Sequence, residues 1–438
     1  MLREHYSFLL CTRLVFISLL SLTVMAVQGE DNNAGSPDND LIKAISEGKL
    51  DLGLRLRYEH VDDDAAAENA DALTNRTVLG YTTGAFQGFS ARLLVQDVRG
   101  IINDYNDATG RNPGKARFAV VVDPEETDLL EAYLALAGPA STKFKLGRQL
   151  ITYRDAPLHR FIGTVLWRQN WQNHDAFTLE NKSLPNTTIH YAYTWNVNRI
   201  FTDEAVISSR ANFDSDSHLI NIQYGGFKYG TLEAYAYLLD FNNAVTTSSS
   251  TYGIRFSGGY PASGGIKILY ALEYAKQDDY ADNPLSINED YLLGEIGGNF
   301  KPGNSIESLT VKFDYELLSG NGATSFNTPL ATGHAFQGWA DRFLVTPADG
   351  IEDFYFTIAA KFLGFNFLGV YHDLSSDHDS YDYGSEIDVQ LVRPLTKHFT
   401  LGLKYSDYNA DRNTVNAARN GAIAKDVSKF WAWVEFKY

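Results

Sequence analysis

Nine arginines are the side chains of this sequence best suited to act on a solute. Arg55, Arg57, Arg76, Arg92 and Arg255 stand among apolar neighbours in segments that alternate at every second residue. Arg148, Arg154, Arg160 and Arg168 follow one another in and beside a stretch that opens Leu146-Gly147-Arg148-Gln149. A guanidinium is permanently charged and presents a planar fork of donors matched to carboxylates. Set around a water-filled passage, such groups draw anions inward through the local field, and no bond need be made or broken. The alternative is mutual satisfaction, with each arginine pairing across the same space to an acid such as Asp51, Glu59, Glu131, Asp155 or Asp314.

Other chemistry has weaker signals. Asp373, Asp377, Asp379 and Asp382 collect with His372 and His378 in one acidic stretch that could offer calcium several oxygens. It lacks the ordered spacing and central glycine of a calcium loop, so a solvated acidic loop is the simpler reading. No metal or cofactor is expected. Serines, histidines and aspartates are scattered without a recognisable nucleophile, base and orienting group, so no enzyme is expected. His334 and Asp341, near Phe336 and Trp339, read as anchors for a long loop. A net charge of −17 argues against nucleic acid as a partner.

The elements that carry these residues read as strands. Leu50, Leu52, Leu54, Leu56 and Tyr58 share one face of an extended segment, and Asp51, Arg55, Arg57 and Glu59 share the other. Phe89, Ala91, Leu93 and Val95 align likewise, as do Ile189, Tyr191, Tyr193, Trp195 and Val197. The set Ile266, Ile268, Tyr270, Leu272 and Tyr274 repeats the pattern, with Lys267 and Glu273 between; on Glu233–Phe241 neither face declares itself. Short links alternate with long ones, the longest spanning Tyr153–Asn173 and Ser319–Glu352. Counting segments between links gives about 18 strands, an even number. Composition agrees: 13% aromatic, 35 glycines and one cysteine suit β-structure with aromatic girdles.

Arg3 and Arg13 flank the apolar run Leu14–Val27, followed by small residues, so residues 1–29 read as a secretory signal peptide. The only cysteine, Cys11, lies within it. No later stretch has the roughly eighteen consecutive apolar residues of a spanning helix, so a spanning mature chain must be a closed barrel. Residues 30–48 read as a polar periplasmic segment with a short helix near Leu41–Glu47, at the periplasmic end or in the pore mouth. Residues 49–438 then form one all-β unit, a transmembrane antiparallel up-and-down barrel of the bacterial outer membrane with short periplasmic turns and long extracellular loops. Phe430, Ala432, Val434, Phe436 and Tyr438 share a face, so Phe430–Tyr438 resembles the closing strand through which the barrel-assembly machinery takes up such chains. Outer-membrane lipid and lipopolysaccharide are the expected surroundings.

Three stretches resemble the alginate-export family of outer-membrane porins: LGLRLRYE over Leu52–Glu59; LGRQ through WRQNWQNHDAF over Leu146–Phe177; and FNTPLATGHAFQGWADRFLVTPADGIED over Phe326–Asp353. The resemblance implies an 18-strand barrel passing an anionic polysaccharide through an arginine-rich constriction. It assigns the lining to Arg55, Arg57, Arg76, Arg148, Arg154, Arg160 and Arg168, with Asp155 and Asp175 orienting them. Inward Glu273, Asp314, Glu316, Glu386 and Asp388 leave room for uptake of a small carboxylated or neutral solute, or for a plugged structural or adhesive barrel.

Overall fold

A strand that is apolar on one face and polar on the other can cross hydrocarbon only if both of its edges are paired. The chain meets that condition completely. The computed structural model describes residues 37–303 and 305–438; the signal peptide and residues 30–36 lie outside the described residues.

The first half of the wall comprises β1 (Lys49–Asp63), β2 (Ala70–Thr82), β3 (Phe89–Asp104), β4 (Glu126–Ala137), β5 (Thr142–Gln149), β6 (Asn173–Asn181), β7 (Thr187–Asn198), β8 (Asn212–Phe227) and β9 (Gly230–Leu239). The second comprises β10 (Ser249–Pro261), β11 (Lys267–Asp279), β12 (Asn288–Phe300), β13 (Ile306–Leu318), β14 (Ile351–Phe362), β15 (Phe365–Ser375), β16 (Asp382–Pro394), β17 (Phe399–Ala410) and β18 (Val427–Lys437). Every strand pairs antiparallel with its sequence neighbours, and β1 also pairs with β18, Leu56 opposite Val434, which closes the barrel. Short links, among them 83–88, 138–141, 228–229 and 363–364, gather at the end where β1 starts and β18 finishes. The long ones, including 105–125, 150–172, 199–211, 319–350 and 411–426, gather at the other end.

The outer face carries the apolar set, with Leu272 67% and Phe313 61% exposed, while Arg57, Glu59 and Trp431 on the inner face are buried. Aromatic pairs ring the short-turn rim: Tyr229 with Tyr260 at 5.0 Å between centroids, Phe362 with Phe365 at 6.0 Å and Phe399 with Phe436 at 5.0 Å. That is the girdle expected where hydrocarbon gives way to headgroups. On β9 the buried residues are Glu233, Tyr235, Tyr237 and Leu239, so its inner face is the acidic and aromatic one.

Alternation misleads at one of the listed segments. Val197 was expected outside with Trp195, yet it is wholly buried inside, because a bulge between Thr194 and Asn196 shifts the register of β7 against β8. The helix near Leu41–Glu47 is present as α1 (Pro37–Ser46). Gly84 donates its N–H to the Ala44 carbonyl at 2.8 Å, and Tyr81, an outward residue of β2, donates its hydroxyl to the Ile45 carbonyl. The helix therefore sits outside the wall at the short-turn end, away from the pore mouth.

Candidate functional site

Two of the long links do not stay at the rim. Links 150–172 and 319–350 carry large apolar side chains, and these need cover that the rim cannot give. Phe161 packs 5.1 Å from Tyr235 and 5.3 Å from Tyr291, and Phe326 packs 5.6 Å from Tyr291, all inside the barrel. The links also bind each other. Gly163 N donates to Leu330 O at 2.8 Å, Thr332 N donates to His159 O at 3.0 Å, and Trp167 stacks on His334 at 5.2 Å. Together they cross the lumen as one constriction.

The β1–β2 side of the lumen is basic. Arg55 and Arg76 stand directly opposite each other. Arg55 donates to Gln169 Oε1 at 2.9 Å, to Leu166 O at 3.1 Å and to Arg168 O. Arg76 shares the Gln96 side-chain oxygen at 3.3 Å and lies 3.7 Å over the Trp171 ring. Among the described residues neither has a carboxylate within ion-pairing distance. Arg57 does, bridging Glu59 at 3.2 Å and Asp123, and Arg92 joins Asp51 at 2.6 Å to Glu131 at 2.5 Å.

The opposite side is acidic, and the links cover it. Arg154 reaches Glu233 at 3.0 Å and Glu273 at 2.6 Å, Arg255 also reaches Glu273 at 2.8 Å, and Arg160 reaches Glu316 at 2.8 Å. Burial by itself would lower the Arg154 pKa, but Glu273 and Glu233 outweigh it and hold the guanidinium charged. The tip of link 319–350 docks through its backbone: Trp339 N donates to Asp388 at 3.1 Å and Ala340 N to Glu386 at 2.7 Å. Gly338, at φ +87°, makes this approach possible, since a Cβ there would sit 2.2 Å from Glu386 Oε2.

A third cluster fixes the same link to β17 and β18. Asp341 accepts from His334 Nδ1 at 2.7 Å, from Lys429 at 2.7 Å and from Arg168 at 2.8 Å, and Arg168 also holds Glu59 at 3.1 Å. Burial pushes His334 down to about 3, so the ring is neutral, donating through Nδ1 and accepting from Lys404 Nζ at Nε2, 2.7 Å away. The Lys404 ammonium also lies 3.6 Å from the Trp339 ring centre. His334 and Asp341 are anchors of this link.

Eight of the nine arginines thus face the lumen or its links. Arg148 does not. It stands opposite Ala132 and Asp175, on the face that Leu146 shares with Leu134 and Phe177, and no bulge intervenes to turn it inward. It binds Asp175 at 2.8 Å on the outer side of the wall, near the long-loop end, and reaches Asp128, the register partner of Gln96, at 3.3 Å. Asp175 orients Arg148 as the resemblance implied, but outside the pore. The Asp155 carboxylate joins none of the arginines within ion-pairing distance among the described residues.

The acidic stretch near β15 does not converge either. Asp373 is outward on the strand, Asp377 accepts from Gly320 N at 3.0 Å, Asp379 faces Arg419 at 3.5 Å, and Asp382 accepts from Gly384 N at 2.8 Å. His372 points into the lumen, 2.9 Å from Asp353. Among the described residues the three carboxylates within 4.8 Å of one another are Glu126, Asp203 and Glu204. Asp123, Trp167 and Gln169 are constriction residues that the sequence reading missed. They lie in links without periodicity, and only the aromatic spacing of WRQNW hinted at them.

No protein-family model matches the chain, and no curated protein matches it. Solved structures do match its fold. Acinetobacter baumannii OccAB2 is 14% identical with a TM-score of 0.68, covering 90% of this chain and 99% of its own. Pseudomonas aeruginosa OccK9 (OpdG) gives the same four values. Pseudomonas aeruginosa OpdK, solved with vanillate, is 13% identical with a TM-score of 0.66, covering 90% of this chain and 98% of its own. Likeness at this level speaks for the fold and leaves the alginate-export resemblance without support. The chain is a closed 18-strand antiparallel barrel that shares its fold with these solved structures and is crossed by two inward links.

Proposed function

We propose that the chain is an outer-membrane channel for uptake of small carboxylated solutes, in place of the alginate-like polysaccharide that the resemblance implied. One observation carries this reading. Among the described residues Arg55 and Arg76 face each other at the constriction with no carboxylate within ion-pairing distance, Glu435 opposite Arg55 on β18 being held by Lys437, while Arg154, Arg160, Arg255 and the N–H groups of Trp339 and Ala340 cover acids of the opposite side. Two links bonded to each other across the lumen also obstruct an extended polymer far more than a small ion. OpdK, similar in fold, was solved with vanillate, an aromatic carboxylate. The protein's part is electrostatic: cations on the path raise the local concentration of the anion and lower its barrier to entry.

Reversal potentials across planar bilayers under a KCl gradient test this. Wild-type protein is expected to prefer anions, and Arg76→Gln to lower the anion-to-cation permeability ratio about threefold or more, as loss of one lumenal charge at ~1 kcal/mol would do. A ratio unmoved by Arg76→Gln, or a cation-preferring wild type, would overturn the proposal.

A further inference from the structure

A cavity of about 150 Å³ lies between the start of link 150–172 and the inner face of β5, β6 and β7. The residues that give it character are Lys143, Lys145, Gln149, Tyr153, Thr178 and His190. Lys143 and Lys145 are two apart on one strand, so their side chains leave the same face. Neither has a carboxylate within ion-pairing distance among the described residues. The acid in the lining, Glu180, is held by Lys182 at 2.7 Å and lies 3.8 Å from His190. Glu131, along the same wall, is taken by Arg92 at 2.5 Å. The Lys145 ammonium rests 4.6 Å over the Tyr133 ring, a contact that leaves its hydrogen-bond donors free for an anion.

Two further features mark the cavity as built to receive something. The Tyr153 hydroxyl, on a residue of the lining, is buried and has no hydrogen-bond partner among the described residues, an arrangement that costs stability unless an acceptor arrives. Its ring is steadied by His190 at 5.3 Å and Tyr237 at 6.1 Å. Gln149, by contrast, is fully engaged with Thr178 at 2.9 Å and the Ala176 carbonyl at 2.9 Å, which makes it part of the cavity's frame.

We propose that this cavity is a binding site for a small organic carboxylate, its two oxygens held by Lys143 and Lys145 and one of them also accepting from Tyr153. The proposal rests on the reading of the channel as one for carboxylated solutes, and it adds a stopping place beside the constriction. The site is distinct from the Arg55–Arg76 side, lying further round the wall on β5–β7.

Single-channel recording with sodium benzoate as the blocking probe decides it. The Lys143→Gln/Lys145→Gln double variant is expected to raise the half-blocking benzoate concentration about tenfold, and Tyr153→Phe about threefold, the losses typical of a charge-assisted and a neutral hydrogen bond. Lys143→Arg/Lys145→Arg should retain wild-type block. If wild-type protein passes benzoate and the double variant is blocked at the wild-type concentration, the site is wrong and the channel reading stands. If wild-type protein neither passes benzoate nor is blocked by it, both fall.

Discussion

The inner surface has two unlike sides. On β1 and β2 guanidiniums stand beside Asp51 and Glu59, and what meets Arg55 and Arg76 is backbone carbonyl, amide oxygen and indole. On β9, β11, β13 and β16 the charges are carboxylates, and what meets them is arginine or backbone N–H brought in by the two links. The links compensate Glu233, Glu273, Glu316, Glu386 and Asp388 on one side and leave Arg55 and Arg76 on the other without a carboxylate within ion-pairing distance among the described residues. A chain of net charge −17 can therefore present a positive constriction, because the lumen's sign depends on which charges remain uncompensated.

The difference can be broken at several points. We predict the largest effect from Arg154→Gln, which strips Glu233 of its guanidinium and leaves Glu273 to Arg255 alone, both in a buried setting. Loss of one partner from such a cluster costs about 3–5 kcal/mol, and here it should release link 150–172 and shift selectivity toward cations. Denaturant titration and reversal potentials on the same protein check it, and a stable, still anion-preferring variant would count against the division into two sides. Leu403→Arg places a cation on the lipid face of β17 and should cost ~2–4 kcal/mol if it falls near the midplane. Refolding into lipid vesicles measures this, and a negligible loss would mean that the faces of β17 are misassigned. The smallest effect is predicted for Arg148→Gln. With its guanidinium outside the wall, anion preference should stay within about twofold of wild type. A large drop would put Arg148 back on the solute's path.

Much of the wall was legible in the sequence because hydrocarbon enforces a strict period of two. Lys143-Phe144-Lys145-Leu146 gives both faces of β5 at sight, and the same count carried on to Arg148 places it with Leu146, outside. Its assignment to the pore came from its place in one run with Arg154, Arg160 and Arg168 as well as from family likeness, and the strand count was the better guide. Val197 was beyond reach, since a bulge leaves no residue-type signature in that segment. β9 was silent because Ala234 and Ala236, its outward residues between Glu233 and Tyr237, are small and neither polar nor bulky. The seating of the links was also hidden. Arg154 meets Glu233 and Glu273 from 79 and 119 positions away, and nothing local records such a meeting. His334 and Asp341 could be read as anchors because they sit close together beside two aromatics, though Lys404, which completes the contact, lies 70 positions away.

The main-chain bonds from Gly163 to Leu330 and from Thr332 to His159 tie the two inward links into a single body. Neither can swing aside while the other stays, so any opening must be concerted. Current traces through one molecule should accordingly jump between two levels, without the graded intermediate steps that independently hinged flaps would give.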